Sequence, residues 1–220
     1  MLRRASTSLL ILAAIALFAV PASGQGLDIG AEAGLNISDI SVEDDASDAV
    51  ESTTGFRAGG VLRLDLGPMF GLQSGLYYSQ KGAEIPLDEF DATSEIGLDY
   101  FEVPLVLSFA IPTGPSPVVP RIYAGGQLAF ESSCEVSAAS GGTSFTADCD
   151  SPDVDLASES TDVSLIFGGG LDFEAGPGAF TVDARYDHGL TDIFVDPTGT
   201  DSDQNNRNIA LSAGYLISLP

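Results

Sequence analysis

Few side chains in this sequence of 220 residues could perform hydrolytic chemistry. The only histidine is His188, which directly follows Asp187. A histidine oriented by a carboxylate and paired with a serine nucleophile is a common hydrolase arrangement. No suitable serine follows His188 at close spacing, and strand alternation would point it outward. We therefore expect no enzyme activity and no cofactor, since phosphate-cradling loops and zinc patterns are also missing from the sequence.

Two acidic runs contain the oxygen ligands that Ca²⁺ prefers. The first run comprises Glu43, Asp44, Asp45 and Asp48, and the second comprises Asp148, Asp150, Asp153 and Asp155. Neither run has the EF-hand spacing or a glycine at the turning position. Solvated loops are the simpler interpretation, and Ca²⁺ binding by the second run stays an open alternative.

Two cysteines, Cys134 and Cys149, are the only ones in the chain. In an exported protein, such a pair fits one disulfide that closes a long loop. The spacing alone does not prove that they are joined.

The amino terminus has the pattern of a cleaved signal peptide. Arg3 and Arg4 precede an apolar stretch from Leu9 to Val20, and Ala22-Ser23-Gly24 supplies the small residues of a cleavage site before Gln25. The apolar stretch is shorter than the ~20 residues that a spanning helix needs. We expect a signal peptide at 1–24 and one domain at 25–220.

The acidic charge excludes several classes of partner. The chain has a formal charge of −24, and removal of Arg3 and Arg4 with the signal peptide would lower it by two, to −26. Such a field repels nucleic acid and anionic lipid surfaces, so we expect neither DNA nor RNA as a partner.

Beyond Gln25 the chain repeats a period-two alternation of apolar and polar residues, which is typical of β-strands. In the first segment, Leu27, Ile29, Ala31, Ala33, Leu35 and Ile37 share one face, and Asp28, Gly30, Glu32, Gly34 and Asn36 share the other. Seven more segments follow the same pattern. Aromatic residues lie on the apolar face, mostly near the ends of the segments. Short turns follow segments two, four and six, whereas long acidic stretches follow one, three, five and seven.

This organisation predicts an all-β fold: an antiparallel up-and-down transmembrane β-barrel of about eight strands, with short periplasmic turns and long acidic outer loops. Strands of roughly ten residues are long enough to cross a bilayer when tilted. The signal peptide and the barrel pattern together predict a location in the outer membrane, with outer-membrane lipid around the apolar face.

The polar face carries charges of both signs. An eight-stranded barrel is just wide enough for side chains to fill its interior, so we expect mutually paired charges instead of an open pore. The predicted ion-pair network comprises Asp28, Glu32, Arg57, Arg63, Asp65, Lys81, Glu102, Arg121, Asp172, Asp183 and Arg185.

Several short motifs resemble the PorT-like outer membrane protein β-barrel family of Gram-negative bacteria, often labelled porin family proteins and similar to the small OmpX and OmpA barrels. They are Ala31-Glu32-Ala33-Gly34-Leu35-Asn36, Gly55-Phe56-Arg57-Ala58-Gly59, Leu76-Tyr77-Tyr78-Ser79-Gln80-Lys81-Gly82, Leu98-Asp99-Tyr100-Phe101-Glu102-Val103-Pro104-Leu105, Tyr123-Ala124-Gly125-Gly126, Asp183-Ala184-Arg185-Tyr186 with Gly189-Leu190-Thr191, and Asn206-Arg207-Asn208-Ile209. The resemblance spans the chain after the signal peptide and implies a fold and a location, without a known ligand.

We therefore expect an integral outer-membrane protein with a structural, adhesive or envelope-assembly role. Its expected partners are outer-membrane lipid, the outer-membrane assembly machinery and other envelope proteins. Two alternatives remain open: a barrel that transports small solutes, and a secreted, soluble, lipocalin-like barrel that binds an apolar ligand. The second alternative requires apolar residues inside and charges outside.

Overall fold

The computed structural model describes residues 26–41, 51–87, 92–140, 143–149, 151, 160–191 and 205–220. Within these ranges no helix is long and apolar enough to cross a membrane. The predicted signal peptide lies outside the described residues. The strands are β1 (Leu27–Ser41), β2 (Glu51–Asp65), β3 (Phe70–Leu87), β4 (Ala92–Ala110), β5 (Val118–Ser140), β6 (Thr143–Asp148), β7 (Thr161–Ala175), β8 (Gly178–Gly189) and β9 (Asn205–Leu219).

Eight of these strands close into one antiparallel ring. The order around the ring is β1, β2, β3, β4, β5, β7, β8 and β9, and β9 pairs with β1 over their whole length. β5 lies between β4 and β7 and pairs with both, which completes the ring. Closure pairs both edges of every ring strand, which removes the free edges of an open sheet. The predicted all-β, up-and-down barrel is confirmed.

The connections define two ends of the barrel. Residues 66–69, 111–117 and 176–177 make short connections at one end, here called the turn end. Gly176 has φ of 64°, a left-handed conformation that glycine adopts without steric cost. At the opposite end, here called the loop end, β1 and β2 are joined by the longer stretch 42–50 and β8 and β9 by 190–204, whereas β3 and β4 are joined by 88–91. This asymmetry is typical of barrels that cross an outer membrane.

Alternation along the strands gives the ring an apolar outside and a polar inside. Along β8, for example, Thr181, Asp183, Arg185 and Asp187 are buried, whereas Phe180, Val182 and Tyr186, which alternate with them, are exposed. Large apolar side chains are exposed around the whole outer wall. A soluble barrel that binds an apolar ligand needs the opposite arrangement, so the lipocalin-like alternative is wrong.

The segments predicted as loops after the third and fifth strands contain further strand, which corrects the sequence-based boundaries. Residues 80–87 of β3 pair with 92–99 of β4, and these pair with 133–140 of β5. β6 then pairs with the end of β5. The four parts form a sheet that continues the barrel wall beyond its loop end, here called the loop-end sheet. Acidic, serine-rich composition resembles loops, but continuous backbone pairing stabilises it as strand.

A β-bulge separates the loop-end sheet from the barrel wall on β5. Asp99 pairs with Ser133 and Tyr100 pairs with Glu131, which leaves Ser132 as the extra residue. One extra residue reverses the alternation, so even-numbered residues of β5 point inward beyond the bulge. Cys134 is consequently buried, although the alternation of the preceding residues would point it outward.

An apolar cluster fills the junction between the barrel and the loop-end sheet. It comprises Ala83, Leu98, Tyr100, Ala129, Cys134 and Cys149, with Ile96 and Val136 packed against it. The disulfide between Cys134 and Cys149 lies within the cluster, and it joins β5 to the residue that follows β6. The disulfide expected from the sequence is confirmed.

Replacing both cysteines with serine is expected to loosen β6 while the barrel remains closed. The disulfide joins residues with a sequence separation of 15. A crosslink that closes a loop of this size stabilises the folded state by about 3 kcal/mol, because it restricts the unfolded chain. Limited proteolysis in lipid vesicles, read by mass spectrometry, should give new cleavages between residues 134 and 149. Ser144→Ala, which alters only an exposed side chain of β6, is the control. Equal resistance of the double variant and the parent would show that strand pairing alone holds β6.

Candidate functional site in the barrel lumen

The charged residues of the lumen reach it because each occupies an inward position on its strand. They form two ionic clusters, one toward each end of the barrel. Between the clusters lie two small apolar groups, one of Val61, Tyr77 and Leu216 and the other of Val106, Tyr123 and Ile166. On β2, for example, Val61 separates Arg57 of one cluster from Arg63 of the other.

Glu102 is the centre of the ionic cluster nearer the loop end. Its side chain is fully buried, and one oxygen, Oε1, lies 2.8 Å from Lys81 Nζ. The other oxygen, Oε2, lies 3.4 Å from Arg57 Nη2 and 3.2 Å from Arg185 Nη2. Arg185 also pairs with Asp187 at 2.7 Å. Three cations from three different strands therefore meet on one carboxylate.

Amide side chains extend this cluster toward the loop end. Asn208 donates hydrogen bonds to Asp187 at 3.0 Å and to Asn36 at 3.2 Å. Asn206 donates to Asp162 at 3.0 Å and reaches the Tyr100 hydroxyl at 3.5 Å. Because β9 and β4 are on opposite sides of the ring, the contact of Asn206 with Tyr100 crosses the full width of the lumen.

The second ionic cluster lies toward the turn end. Arg121 binds Asp172 through Nε at 3.0 Å and Asp183 through Nη2 at 2.8 Å. Arg63 Nη1 binds the same Asp172 at 2.9 Å, and its Nε donates to Gln73. Arg63 on β2 and Asp172 on β7 are on opposite sides of the ring, so this ion pair also spans the lumen.

Tyrosines occupy the middle of the lumen, where inward glycines leave room for their rings. The Tyr77 hydroxyl donates to Glu32 at 2.9 Å, and the Arg57 guanidinium lies 4.0 Å from the centre of the Tyr77 ring. A Cβ on Gly168 would lie 2.6 Å from the Tyr123 hydroxyl oxygen. Packed aromatic and apolar side chains therefore occupy the middle of the lumen, between its two ionic clusters.

The structure brings together eight of the eleven residues predicted for the network. Arg57, Lys81, Glu102 and Arg185 form the cluster nearer the loop end, and Arg63, Arg121, Asp172 and Asp183 form the other. Glu32 is buried but is bound by the Tyr77 hydroxyl. Asp28 and Asp65 are half-buried at the turn end, and neither makes an ion pair within the described residues.

Several contributors were not part of the sequence-based network. Asp187 and Asp162 occupy the same inward positions in the alternation as their predicted neighbours, so this pattern alone could have placed them in the lumen. The side chains of three further contributors are uncharged amides: Asn36, Asn206 and Asn208. An amide gives no sign in the sequence of which group on a distant strand it will bind. Their roles follow from the register alone.

The other sequence-based candidates lie outside the lumen. His188 points outward from β8 beside Tyr186, with ring centres 6.3 Å apart. Of the four aspartates considered for Ca²⁺, Asp148 is exposed at the end of β6, and Asp150, Asp153 and Asp155 lie outside the described residues, as does the run from 43 to 48. Within the described part of the chain no group of three or more acidic, histidine or cysteine side chains could hold a metal ion.

Comparison with known proteins agrees with this architecture. The model of a family described as outer membrane protein beta-barrel domain matches residues 19–195. No curated protein matches the chain.

Three solved structures are similar to this chain at low sequence identity. Neisserial surface protein A is 16% identical, with 87% of this chain and 96% of that chain covered and a TM-score of 0.48. The attachment invasion locus protein of Yersinia pestis, solved with the heparin analogue sucrose octasulfate, is 16% identical, with 87% and 99% covered and a TM-score of 0.44. OprG from Pseudomonas aeruginosa is 10% identical, with 89% and 96% covered and a TM-score of 0.48.

Proposed function

The chain belongs to the outer membrane protein beta-barrel domain family, and from this premise we propose that it is an adhesive protein of the outer membrane. The barrel is the membrane anchor in this proposal, with lipid around its apolar wall. The loop-end sheet faces outward from the cell and binds an extended, basic segment of another protein. The observation that carries the proposal is the free edge of β6 beyond the barrel.

β6 has an edge that is suited to strand addition. Among the described residues it pairs with β5 only, so the backbone groups along its other side have no partner strand in the described part of the chain. Natural edge strands are commonly protected by lysine, proline or a bulge, and the sequence Thr-Ser-Phe-Thr-Ala-Asp has none of these. The side chain of Phe145, near the centre of β6, is 54% exposed. An added strand would pair with this edge and cover the phenyl ring.

The charge of the loop-end sheet specifies a basic partner. Glu84 of β3 lies directly opposite Glu95 of β4, and Glu135 of β5 lies directly opposite Asp148 of β6. Like charges on directly opposite residues destabilise a sheet, and a basic ligand would relieve this repulsion. The Cys134–Cys149 disulfide holds β6 in place, so less conformational entropy is lost on binding.

The filled lumen supports an anchoring role over the alternative of small-solute transport. Arg63–Asp172 and Asn206–Tyr100 cross the full width of the barrel, and a solute would have to break them to pass. We also propose that the barrel is not an enzyme, because its only histidine points away from the lumen toward the membrane boundary.

Three further assignments extend the proposal. The short motifs from Ala31 to Asn36 and from Leu98 to Leu105 support membership of the PorT-like branch of these barrels. A signal peptide at 1–24 would direct export, and the outer-membrane assembly machinery would insert the barrel. Other envelope proteins could supply the basic segment that binds β6.

Binding of a basic strand peptide to the protein in lipid nanodiscs tests the adhesive role. The probe is a fluorescein-labelled decapeptide of alternating lysine and valine, followed by fluorescence anisotropy. The double variant Glu135→Gln with Asp148→Asn is expected to bind about fivefold more weakly, since each exposed charge contributes up to about 1 kcal/mol. Raising the salt concentration should reduce the difference.

Two controls separate strand addition from simple charge attraction. Glu174→Gln removes an exposed acidic charge at the turn end and should leave the affinity unchanged. A peptide with the same lysines, in which proline replaces each valine, cannot form the ladder of backbone hydrogen bonds. Equal binding of the two peptides would contradict strand addition, and equal weakening by Glu174→Gln would contradict a site on the loop-end sheet.

A further inference from the structure

Basic side chains are rare on the outside of this barrel. Of the seven arginine, lysine and histidine residues within the described ranges, five point into the lumen, where each forms an ion pair. The remaining two, His188 and Arg207, point outward. They lie directly opposite each other on the neighbouring strands β8 and β9.

This basic pair lies just beyond the aromatic residues that mark the loop-end boundary of the apolar wall. Tyr186 precedes His188 on the same face, and their rings lie nearly parallel with centres 6.3 Å apart. Arg207 is exposed. Aromatic belts occupy the level of lipid headgroups, so the pair faces headgroups and not acyl chains.

An open depression in the apolar wall lies on the membrane side of the pair. Its lining includes the small residues Ala33, Gly169, Ala184 and Ala213, and larger residues such as Leu171 and Leu211. Its volume is about 630 Å³. The depression lies on β8 and β9 as well as on β1 and β7, so it shares two strands with the basic pair.

We infer that His188, Arg207 and this depression together form a binding site for one outer-leaflet lipid with an anionic phosphate headgroup. Arg207 donates guanidinium hydrogen bonds to the phosphate, and the His188 ring adds an N–H donor. One acyl chain lies over the small residues of the depression.

Charge complementarity is the reason for choosing an anionic lipid. The chain carries 32 acidic residues, and its field repels an anionic headgroup over most of the surface. Only this part of the described outer wall offers two basic side chains at headgroup level. On the other side of β9, the backbone register places Asp39 of β1 opposite Arg207.

The sequence contains no tryptophan, so a single introduced tryptophan reports on the lipid beside it. Phe167 is exposed on the outer wall directly opposite Tyr186, and Phe167→Trp places the reporter next to the site without altering it. In bilayers of phosphatidylcholine and phosphatidylglycerol, one lipid at a time carries brominated acyl chains that quench tryptophan fluorescence. The measured quantity is the relative binding constant for phosphatidylglycerol.

We expect a preference for phosphatidylglycerol of about fivefold at Phe167→Trp. Adding Arg207→Gln, or Arg207→Gln with His188→Gln, should remove it. Phe101→Trp on β4 is the matched control, because it lies on the outer wall with no basic residue nearby, and should show no preference. No preference at Phe167→Trp, or an equal one at Phe101→Trp, would overturn the inference.

Two further arms test the lipid as the source of the phosphate. Inorganic phosphate and sodium chloride at equal ionic strength should reduce the preference equally, whereas a selective loss in inorganic phosphate would show that the site takes the free anion. Filling the depression with Ala184→Leu and Ala213→Leu should lower the preference. An unchanged preference would overturn the role of the depression. Heat-dependent gel mobility verifies that each variant is folded.

Discussion

Replacing Glu102 with glutamine is expected to lower the free energy of unfolding by about 3–5 kcal/mol, which is the usual loss when one partner is removed from a buried ion pair. Glutamine has nearly the same size as glutamate, so the loss comes from charge and not from packing. Lys81, Arg57 and Arg185 would keep their positive charges in a buried space without the carboxylate that holds them together. Urea titration in lipid vesicles, followed by heat-dependent gel mobility, measures the change.

A second substitution distinguishes this electrostatic cause from general damage to the barrel. Combining Glu102→Gln with Lys81→Met removes one of the three cations, so the double variant should recover part of the lost stability. Glu174→Gln, at an exposed position, should have no measurable effect. A double variant that is less stable than Glu102→Gln alone would contradict the proposed role of Glu102 as the shared counter-ion.

Replacing Leu105 with arginine is expected to destabilise the folded barrel by about 2–4 kcal/mol, the cost of a charge at the bilayer midplane on the lipid side of a barrel. Leu105 of β4 is 47% exposed on the outer wall, midway between Phe101 and Phe109. These two aromatic residues mark the two boundaries of the apolar wall. Refolding into lipid vesicles at graded urea concentrations gives the difference in stability.

The matched control places the same side chain on an apolar residue that faces water. Phe145 is exposed to a similar extent but lies on β6, beyond the membrane. Phe145→Arg should therefore change the stability by no more than about 0.5 kcal/mol. Equal effects of the two substitutions would mean that Leu105 also faces water, contrary to a transmembrane position.

The alternation in the sequence was sufficient to predict the barrel and the facing of most side chains. Successive side chains of a strand point to opposite faces, so the apolar residues from Leu27 to Ile37 had to share one side whatever the strand paired with. Charges of both signs on the other side indicated an enclosed polar interior. The number of strands in the ring and the short turns between them followed from the same local pattern and from residues such as Gly176.

Only the tertiary structure decided which charges meet. Arg63 and Asp172 are 109 residues apart in sequence, and their contact depends on the order of strands around the ring. Local alternation contains no information about this order or about register. The same limit explains why Asn206 and Asn208 were missed and why the sequence could not distinguish Asp28 and Asp65, which make no ion pair within the described residues, from the paired charges.

The loop-end sheet also depends on tertiary pairing. Its residues have the acidic, serine-rich composition of loops, and β6 exists because the end of β5 offers it a partner. The extra residue Ser132 reverses the facing of every residue that follows it on β5, which places Cys134 inside. The opposition of His188 and Arg207 likewise arises from the register of β8 with β9. The sequence thus determined which face each side chain takes along a regular strand. The closure of the ring determined which side chains on other strands each one meets, because pairing across strands depends on register and not on local periodicity.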